Sequence, residues 1–466
     1  MNVITRNEQI RVAYDVDVCV VGGGPAGVAA AFQAARNGAS VLVIEQMNCL
    51  GGIATAGWHG HICSYDPHKD KPHRIVGGTC YDLVGLMVDN GYGTYDGYGL
   101  DFEVEYMKYQ LERVASTLPN LQVLYYTQFS DVVVEDGKVT HIIIQNKSGR
   151  QAVKTKMVID CSGDADVAAR AGVPYEKGRP GDGAMQPMTL MFQMGGFERE
   201  PFMEFRTKGY MERYGVDFND SDKEVWKEAQ ANGDMEPFQT KTMGWWWCAT
   251  RPDQIGANFT HIVGRDCTNT EDLTYATIEG RRQAYESIKV FRKYMPGMEN
   301  VWMSHTGGLI GTRESRRING LYRITAEDVL GERYFSDSIG YGSFFIDIHN
   351  CTGAGMDTDT YYPHPGFKYQ IPYRALVPQK IDNMLVAGRC ISCDHIALGS
   401  LRVMPQCFIE GDAAGIAATM CLKNGCAPKN VEIKALQEKL RQEGAIIGDE
   451  DIVDQPFDAN EPNYHK

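Results

Sequence analysis

The sequence predicts an α/β fold: a parallel sheet carrying an antiparallel β-meander excursion, with an inserted α+β domain. Three stretches predict it. A strand, glycine turn, helix and second strand fill residues 16–45, turn-separated strands follow over 129–160, and an apolar stretch over 384–422 returns to strand-then-helix character. A chain of 466 residues exceeds what one core serves, so interleaved domains are expected.

The first unit reads VDVCVVGGGPAGVAAAFQAARNGASVLVIE. Val16 to Val21 is a β-branched run bounded by glycine, the pattern of a buried parallel strand. Gly22, Gly24 and Gly27 then follow the G-x-G-x-x-G spacing. The first allows a tight turn, the second lets backbone approach a pyrophosphate, and the third permits close strand–helix packing. Pro25 occupies a first-turn position where its missing N–H has no helical partner, Ala26 continues the turn, and Asn37-Gly38 stops the helix. SVLVIE is the second strand, and its terminal Glu45 is placed to accept hydrogen bonds from an adenosine ribose. A glycine turn with no ligand is the bland alternative, but all four parts in register favour a Rossmann-like dinucleotide site. Gln46 and the small residues Gly51, Gly52 and Thr55 continue from the acid along a long, extended cofactor, which favours FAD over NAD.

The rest of the composition narrows the class. A formal charge of −14 argues against a nucleic-acid or anionic-membrane surface. The N-terminal stretch has no apolar signal-like region and no 18 apolar residues run together, so a cytoplasmic protein without a membrane span is expected. Thirteen cysteines fit reduced thiols rather than a disulfide framework.

The motifs VVGGGPAGVAAA, LGGIATAG, VIDCSGDADVA, QPMTLMFQ, GTRESRRI, DSIGYGSFFIDIHN, YQIPYRALVP and MLVAGRCISCDHIALGSLRVMPQCFIEGDAAGIAA span nearly the whole chain. In these the sequence resembles the two-dinucleotide-binding-domain flavoproteins, the superfamily of glutathione reductase and fumarate reductase. Within it, it is most similar to FAD-dependent oxidoreductases of the FAD_oxidored type. The resemblance implies bound FAD, covalent or not, and redox chemistry, but no particular substrate. It also implies that Phe129 passes the adenine. The strand, Ser162-Gly163 turn and helix opening at Asp164 would close over the cofactor from the other side.

The expected division is a Rossmann-like FAD-binding domain over 1–190, an α+β cap or substrate domain over 191–374, the closing part of the FAD domain over 375–430, and a surface helix and tail over 431–466. Within it, Asp101 is expected to cap a helix over 101–118, and Trp245, Trp246 and Trp247 are read as packing rather than as a substrate platform.

A flavin performs the redox step itself, so the protein must bind it, tune it and orient a substrate. Arg402, Val403 and Met404 open an apolar helix, where a cation and a helix N-terminus would stabilise negative charge at the flavin; a surface salt bridge is the other reading of Arg402. Gly388, Arg389 and Cys390 follow the closing strand and are read as part of the cradle. The companion Cys393 makes a C-x-x-C, but a redox dithiol or metal site lacks its context. Strand alternation through GTRESRRI would aim Arg313 and Arg317 to one face and Arg316 to the other. Such a pair suits a carboxylate or a developing enolate, with salt bridges to Glu314 as the alternative. His349, Tyr341, Tyr373 and His395 are proton-transfer candidates, each with a purely structural reading beside it. His59 and His61 are read as substrate contacts or a covalent flavin link, and no metal is expected because further ligands are not placed.

The resulting expectation is an FAD-dependent oxidoreductase moving a hydride between flavin and a small organic substrate, at a C–C or CH–OH bond, in either direction. The electron donor or acceptor is not specified, since no second G-x-G-x-x-G unit appears, and homo-oligomerisation is left open. The alternatives are a flavin-containing binding or assembly protein with structural FAD, or an NAD-binding protein without flavin.

Overall fold

The computed structural model of the chain describes residues 4–5, 7–63, 74–95, 99–218, 222–238, 244–248 and 250–453. The valine run lies within β1 (Arg11–Val21), followed by α1 (Pro25–Arg36) and β2 (Val41–Ile44). β1 and β2 pair in parallel from Val18↔Val41 to Val21↔Ile44, and these four residues of each strand are buried. β3 (His61–Cys63), α2 (Gly78–Asp89), β4 (Gly93–Tyr95), β5 (Gly99–Phe102) and α3 (Val104–Ser116) come next. Val104, Met107 and Leu111 are buried on α3, as their spacing predicts. Asp101 does not cap that helix, however. It pairs with His61 across β3 and β5, and the cap position falls to Glu103.

β6 (Leu121–Leu124) lies beside β2, and β7 (Gln128–Glu135), β8 (Lys138–Asn146) and β9 (Gly149–Asp160) form the meander. Its first turn, Asp136-Gly137, has φ of 49° and 74°, the left-handed pair that a tight hairpin requires. β9 belongs to both halves of the sheet. It runs parallel to β1 along its whole length, while its other edge takes β8 first and then the closing strand β18 (Met384–Val386). The next helix, α4 (Asp166–Arg170), starts two residues later than Asp164 because Ala165 is left-handed at φ 53°.

β10 (Tyr175–Lys177) precedes a second sheet of β11 (Phe192–Gly195), β12 (Gly244–Trp247), β13 (Gln254–Asn258) and β14 (Trp302–Thr306), in the order β12-β13-β11-β14. Around it lie α5 (Arg199–Glu204), α6 (Tyr210–Tyr214), α7 (Lys223–Ala231) and the long α8 (Thr270–Tyr294). Asn269 caps α8 by accepting from the N–H groups of Glu271 and Asp272. Phe192, Phe202, Trp226, Phe259 and Phe291 form its core, with Trp245 and Trp247 packed against it. Trp246 lies on the other face over Gly256, where a Cβ would come 1.8 Å from the indole. The three tryptophans are therefore packing side chains, as expected.

The chain continues through β15 (Arg316–Ile318), α9 (Ala326–Leu330), β16 (Ser338–Gly342) and β17 (Tyr369–Pro372), then, after β18, through α10 (His395–Leu401), α11 (Met404–Asn424) and α12 (Ile433–Gln442). SFFIDIHN holds only the isolated bridges Ile346↔Tyr361 and His349↔Met356; the regular strand is β16, just before it. Side chains from Ile324 to Tyr373 join the core shared by α1 and α11 rather than the aromatic core of the second sheet. α12 is not a wholly solvated exterior helix: Leu436 and Leu440, four apart, are buried. Among the described residues no helix is long and apolar enough to cross a membrane.

α1 and α11 touch backbone to backbone. A Cβ at Gly411 would lie 2.2 Å from the Ala26 carbonyl oxygen, and one at Gly415 2.4 Å from that of Ala30. On the same helix Asp412 accepts from the Thr79 N–H at 3.0 Å and the Thr79 hydroxyl at 2.6 Å. Burial pushes its carboxyl up to about 7, partly offset by those two hydrogen bonds and reinforced by Asp82. A carboxyl raised in the folded state contributes stability at low pH, which is lost as the pH rises through the folded value. Asp412→Asn is therefore expected to raise the melting temperature at pH 8 and to have little effect at pH 4, by scanning fluorimetry at both.

Candidate functional site

The parallel strands β1, β2, β9 and β18 all end at one side of the sheet, where a doubly wound fold binds its ligand. A cavity of about 470 Å³ opens there. Gly22, Gly24, Pro25, Ala26, Glu45, Gln46, Gly52, Phe129, Ser162, Gly163, Asp164, Gly388, Arg389, Arg402, Val403 and Met404 line it. Thus sixteen of the twenty residues expected to hold a cofactor face one space, though they come from widely separated stretches of chain.

The other four shape the cradle from behind. Gly27 packs under the Gly22 carbonyl, where its Cβ would sit 1.8 Å from the oxygen. Gly51, at φ 102°, donates its N–H to the Gly23 carbonyl at 2.7 Å, and the Thr55 hydroxyl donates to the Leu50 carbonyl. Cys390 is fully buried, its Sγ 3.6 Å from the Asp160 carbonyl oxygen. Burial pushes the Cys390 and Cys393 thiols well above their usual range, so neither is a reactive thiolate. Both should resist a thiol-reactive disulfide dye at pH 8 in the folded protein and react once it is denatured; rapid labelling of either in the native state would revive a dithiol role.

Of the expected catalytic residues, only Arg313 lines the cavity. Arg317 is fully buried, paired with Glu314, and donates to the carbonyls of Gly178 and Cys393. The two arginines do not share a strand face because regular pairing begins only at Arg316, and residues 312–315 lie outside the strand. His395 Nδ1 is 2.8 Å from Glu314, which makes it part of the same buried network. The Tyr341 hydroxyl donates to Asp449 at 2.8 Å and that of Tyr373 to the Pro428 carbonyl at 3.0 Å, both away from the cavity. His349 stands one layer behind the lining, its Nε2 3.4 Å from Asp347.

One wall of the cavity is cationic. The buried Arg313 guanidinium donates to the Pro187 carbonyl at 2.8 Å, to the Thr189 hydroxyl, and to Asn258 Oδ1 at 3.4 Å. All three are neutral oxygens. Burial, with Arg402 nearby, pushes its pKa down to about 9, which leaves it charged at neutral pH. Arg402 donates to Asp347 Oδ2 at 2.7 Å, while its buried Nε has no partner within the protein. Burial alone would raise the Asp347 carboxyl, but His349, Arg402 and Arg313 together hold it well below the usual range. Burial and then Arg313 push His349 down to about 3, and burial with His61 and the two arginines does the same to His59. Asp347 and Asn258, both in the lining, escaped sequence reasoning. Asp347 carried a faint signal as the acid two residues before His349, whereas nothing local marked Asn258.

The profile of the FAD dependent oxidoreductase family matches residues 17–440. The chain belongs to that family. FAD is accordingly its cofactor and the protein is an FAD-dependent oxidoreductase. This flavoenzyme is also 29% identical over 164 residues to a thiamine thiazole synthase of Methanococcus aeolicus, covering 33% of this chain and 57% of that protein. It is 28% identical over 199 residues to digeranylgeranylglycerophospholipid reductase 2 of Methanothermobacter thermautotrophicus, covering 41% and 49%. The chain thus spans about half the length of these relatives. A geranylgeranyl bacteriochlorophyll reductase-like protein from Thermoplasma acidophilum superposes over 93% of this chain and 84% of its own, with a TM-score of 0.47 and 13% identity.

The cavity of the flavoenzyme fits FAD on its own evidence. Gly24 is the cap position of α1, with no side-chain cap, and a Cβ built there meets nothing within 4 Å. The uncapped helix start therefore faces open space, which suits a pyrophosphate. Glu45 is buried with one oxygen accepting from the Gly23 N–H and the other from the Met47 N–H, both at 2.7 Å. Carboxylate lone pairs are left over for ribose hydroxyls. α11 likewise begins at the cavity without a side-chain cap at Val403, which suits negative charge on the far end of the cofactor.

Proposed function

We propose that this flavoenzyme transfers a hydride between FAD and a small organic substrate that carries a carboxylate or comparable anion. The observation behind this reading is Arg313, a buried cation on the cavity wall whose hydrogen bonds all go to neutral oxygens. Burying a charge with no hydrogen-bonded counter-ion is costly; the Asp347 carboxylate that acts on Arg313 is itself bonded to Arg402, and an anionic substrate supplies a direct partner. Bound FAD contributes the two-electron chemistry. Glu45, Gly24 and the start of α1 would hold its adenosine and pyrophosphate, and Arg402, Val403 and Met404 its other end. Arg313 binds the substrate anion, Arg402 adds a second charge beside it, and Asp347 fixes the orientation of Arg402. A cytoplasmic setting suits the described cysteines, none of which forms a disulfide.

Anaerobic titration of the bound flavin with enoates, 2-hydroxy acids and aromatic acids, each beside its neutral amide, tests this reading. The acids should reduce, reoxidise or spectrally perturb the flavin and the amides should not. Equal responses to acid and amide would end the anion assignment.

A further inference from the structure

The tryptophan strand does more than pack. Trp247 donates its main-chain N–H to Asp101 Oδ2 at 2.9 Å, Asp101 Oδ1 lies 2.5 Å from His61 Nδ1, and His61 lines the cavity. His61 and Asp101 are direct partners in the β3–β5 register, so main-chain pairing sets their alignment. Trp246 packs edge-on against His59, ring centroids 5.3 Å apart, and a Cβ at Gly60 would come 2.7 Å from its indole nitrogen. Adjacent residues of β12 therefore hold both histidines.

The two rings end in opposite protonation states. His59 is pushed down to about 3, chiefly by burial. Burial would also lower His61, but hydrogen bonds and charge from Asp101 and Cys63 raise it to about 10. Among the described residues, Asp101 from β5, Cys63 on its own strand and His59 from the preceding loop act on His61. Titratable groups driven apart within one site are the mark of an acid–base assignment.

We propose that His61, oriented by Asp101 and through it by the Trp247 main chain, is the proton donor of the flavin cavity. The proposal rests on the anion-binding reading above, which places the substrate beside Arg313 and Arg402. Reduced FAD, when bound, would supply a hydride to one end of the substrate bond, and the other end then takes up one proton. The imidazolium N–H bond breaks as an O–H or C–H bond forms on the electron pair left on the substrate, and the neutral imidazole regains a proton from solvent. Asp101 is a positioning residue.

The test is NMR of the holoprotein with 15N-labelled histidine, with benzoate as the anion probe. One imidazole is expected to keep both ring protons at pH 9 and to vanish from the spectrum of His61→Gln. In Asp101→Asn its midpoint should fall by about two pH units or more, toward the ordinary histidine value. Benzoate should shift that resonance while perturbing the visible flavin spectrum. No doubly protonated histidine at pH 9 in the unmutated protein would overturn the proposal, whatever the variants do. A flavin response to benzoate with a silent His61 resonance would also overturn it while leaving the anion reading intact. A doubly protonated His61 with no flavin response would instead remove the anion reading, and the donor role with it.

Discussion

Gly27→Val is expected to purify colourless and to unfold several degrees below the parent protein. The new Cβ would lie 1.8 Å from the Gly22 carbonyl oxygen and 3.3 Å from Cys161 Cβ. α1 must then move off the sheet, an overpacking that costs about 1–3 kcal/mol or more. It also displaces the α1 start from the cavity edge, so flavin loss should accompany the instability. Gly24→Ala separates the two effects. At Gly24 φ is −69° and a Cβ meets no neighbour within 4 Å, so the fold tolerates alanine while its methyl intrudes where a pyrophosphate approaches. Gly24→Ala should therefore match the parent apoprotein in melting temperature yet hold less FAD, read from the ratio of flavin to protein absorbance. If Gly27→Val stays yellow and equally stable, the close strand–helix contact is not what shapes the site.

Arg313→Met is the second large effect. Flavin content should be kept while the rate of flavin reduction or reoxidation by the responsive acid falls by about 10²–10³-fold, the scale of removing one charge-stabilising donor. This position is the cleanest of the cationic wall to change. Its removal strands only neutral oxygens at Pro187, Thr189 and Asn258, whereas removing Arg402 would strand the buried Asp347 carboxylate. Arg313→Lys should not restore the rate, because an ammonium cannot reproduce the guanidinium fork that spans those oxygens. Stopped-flow absorbance of the two variants decides it; an unimpaired Arg313→Met would move substrate recognition elsewhere in the cavity.

The glycine-turn side of the cavity was legible because it is written locally. Strand, turn glycines, helix and acid lie within thirty consecutive residues, and each obeys a rule that needs no distant partner: β-branching for a buried strand, glycine for a positive φ at Gly22, a proline in the first turn. Expectations failed where a local pattern competed with pairing to a remote strand. Asp101 looks like a helix cap until β3 pairs with it, and Arg313 and Arg317 alternate only if the strand extends through both.

By itself the sequence determined the α/β class, FAD as the cofactor and most of the residues on the glycine-turn side of the cavity. The tertiary structure decided which polar residues line the rest of that cavity. His59 and His61 arrive on a loop and strand after the first unit, Asn258 on the second sheet, Arg313 before β15, Asp347 after β16 and Arg402 before α11. The physical reason is that burial, charge and hydrogen bonding at such a wall are sums over residues hundreds of positions apart. Local propensity therefore carries no trace of which arginine is buried against neutral oxygens and which is spent on a salt bridge.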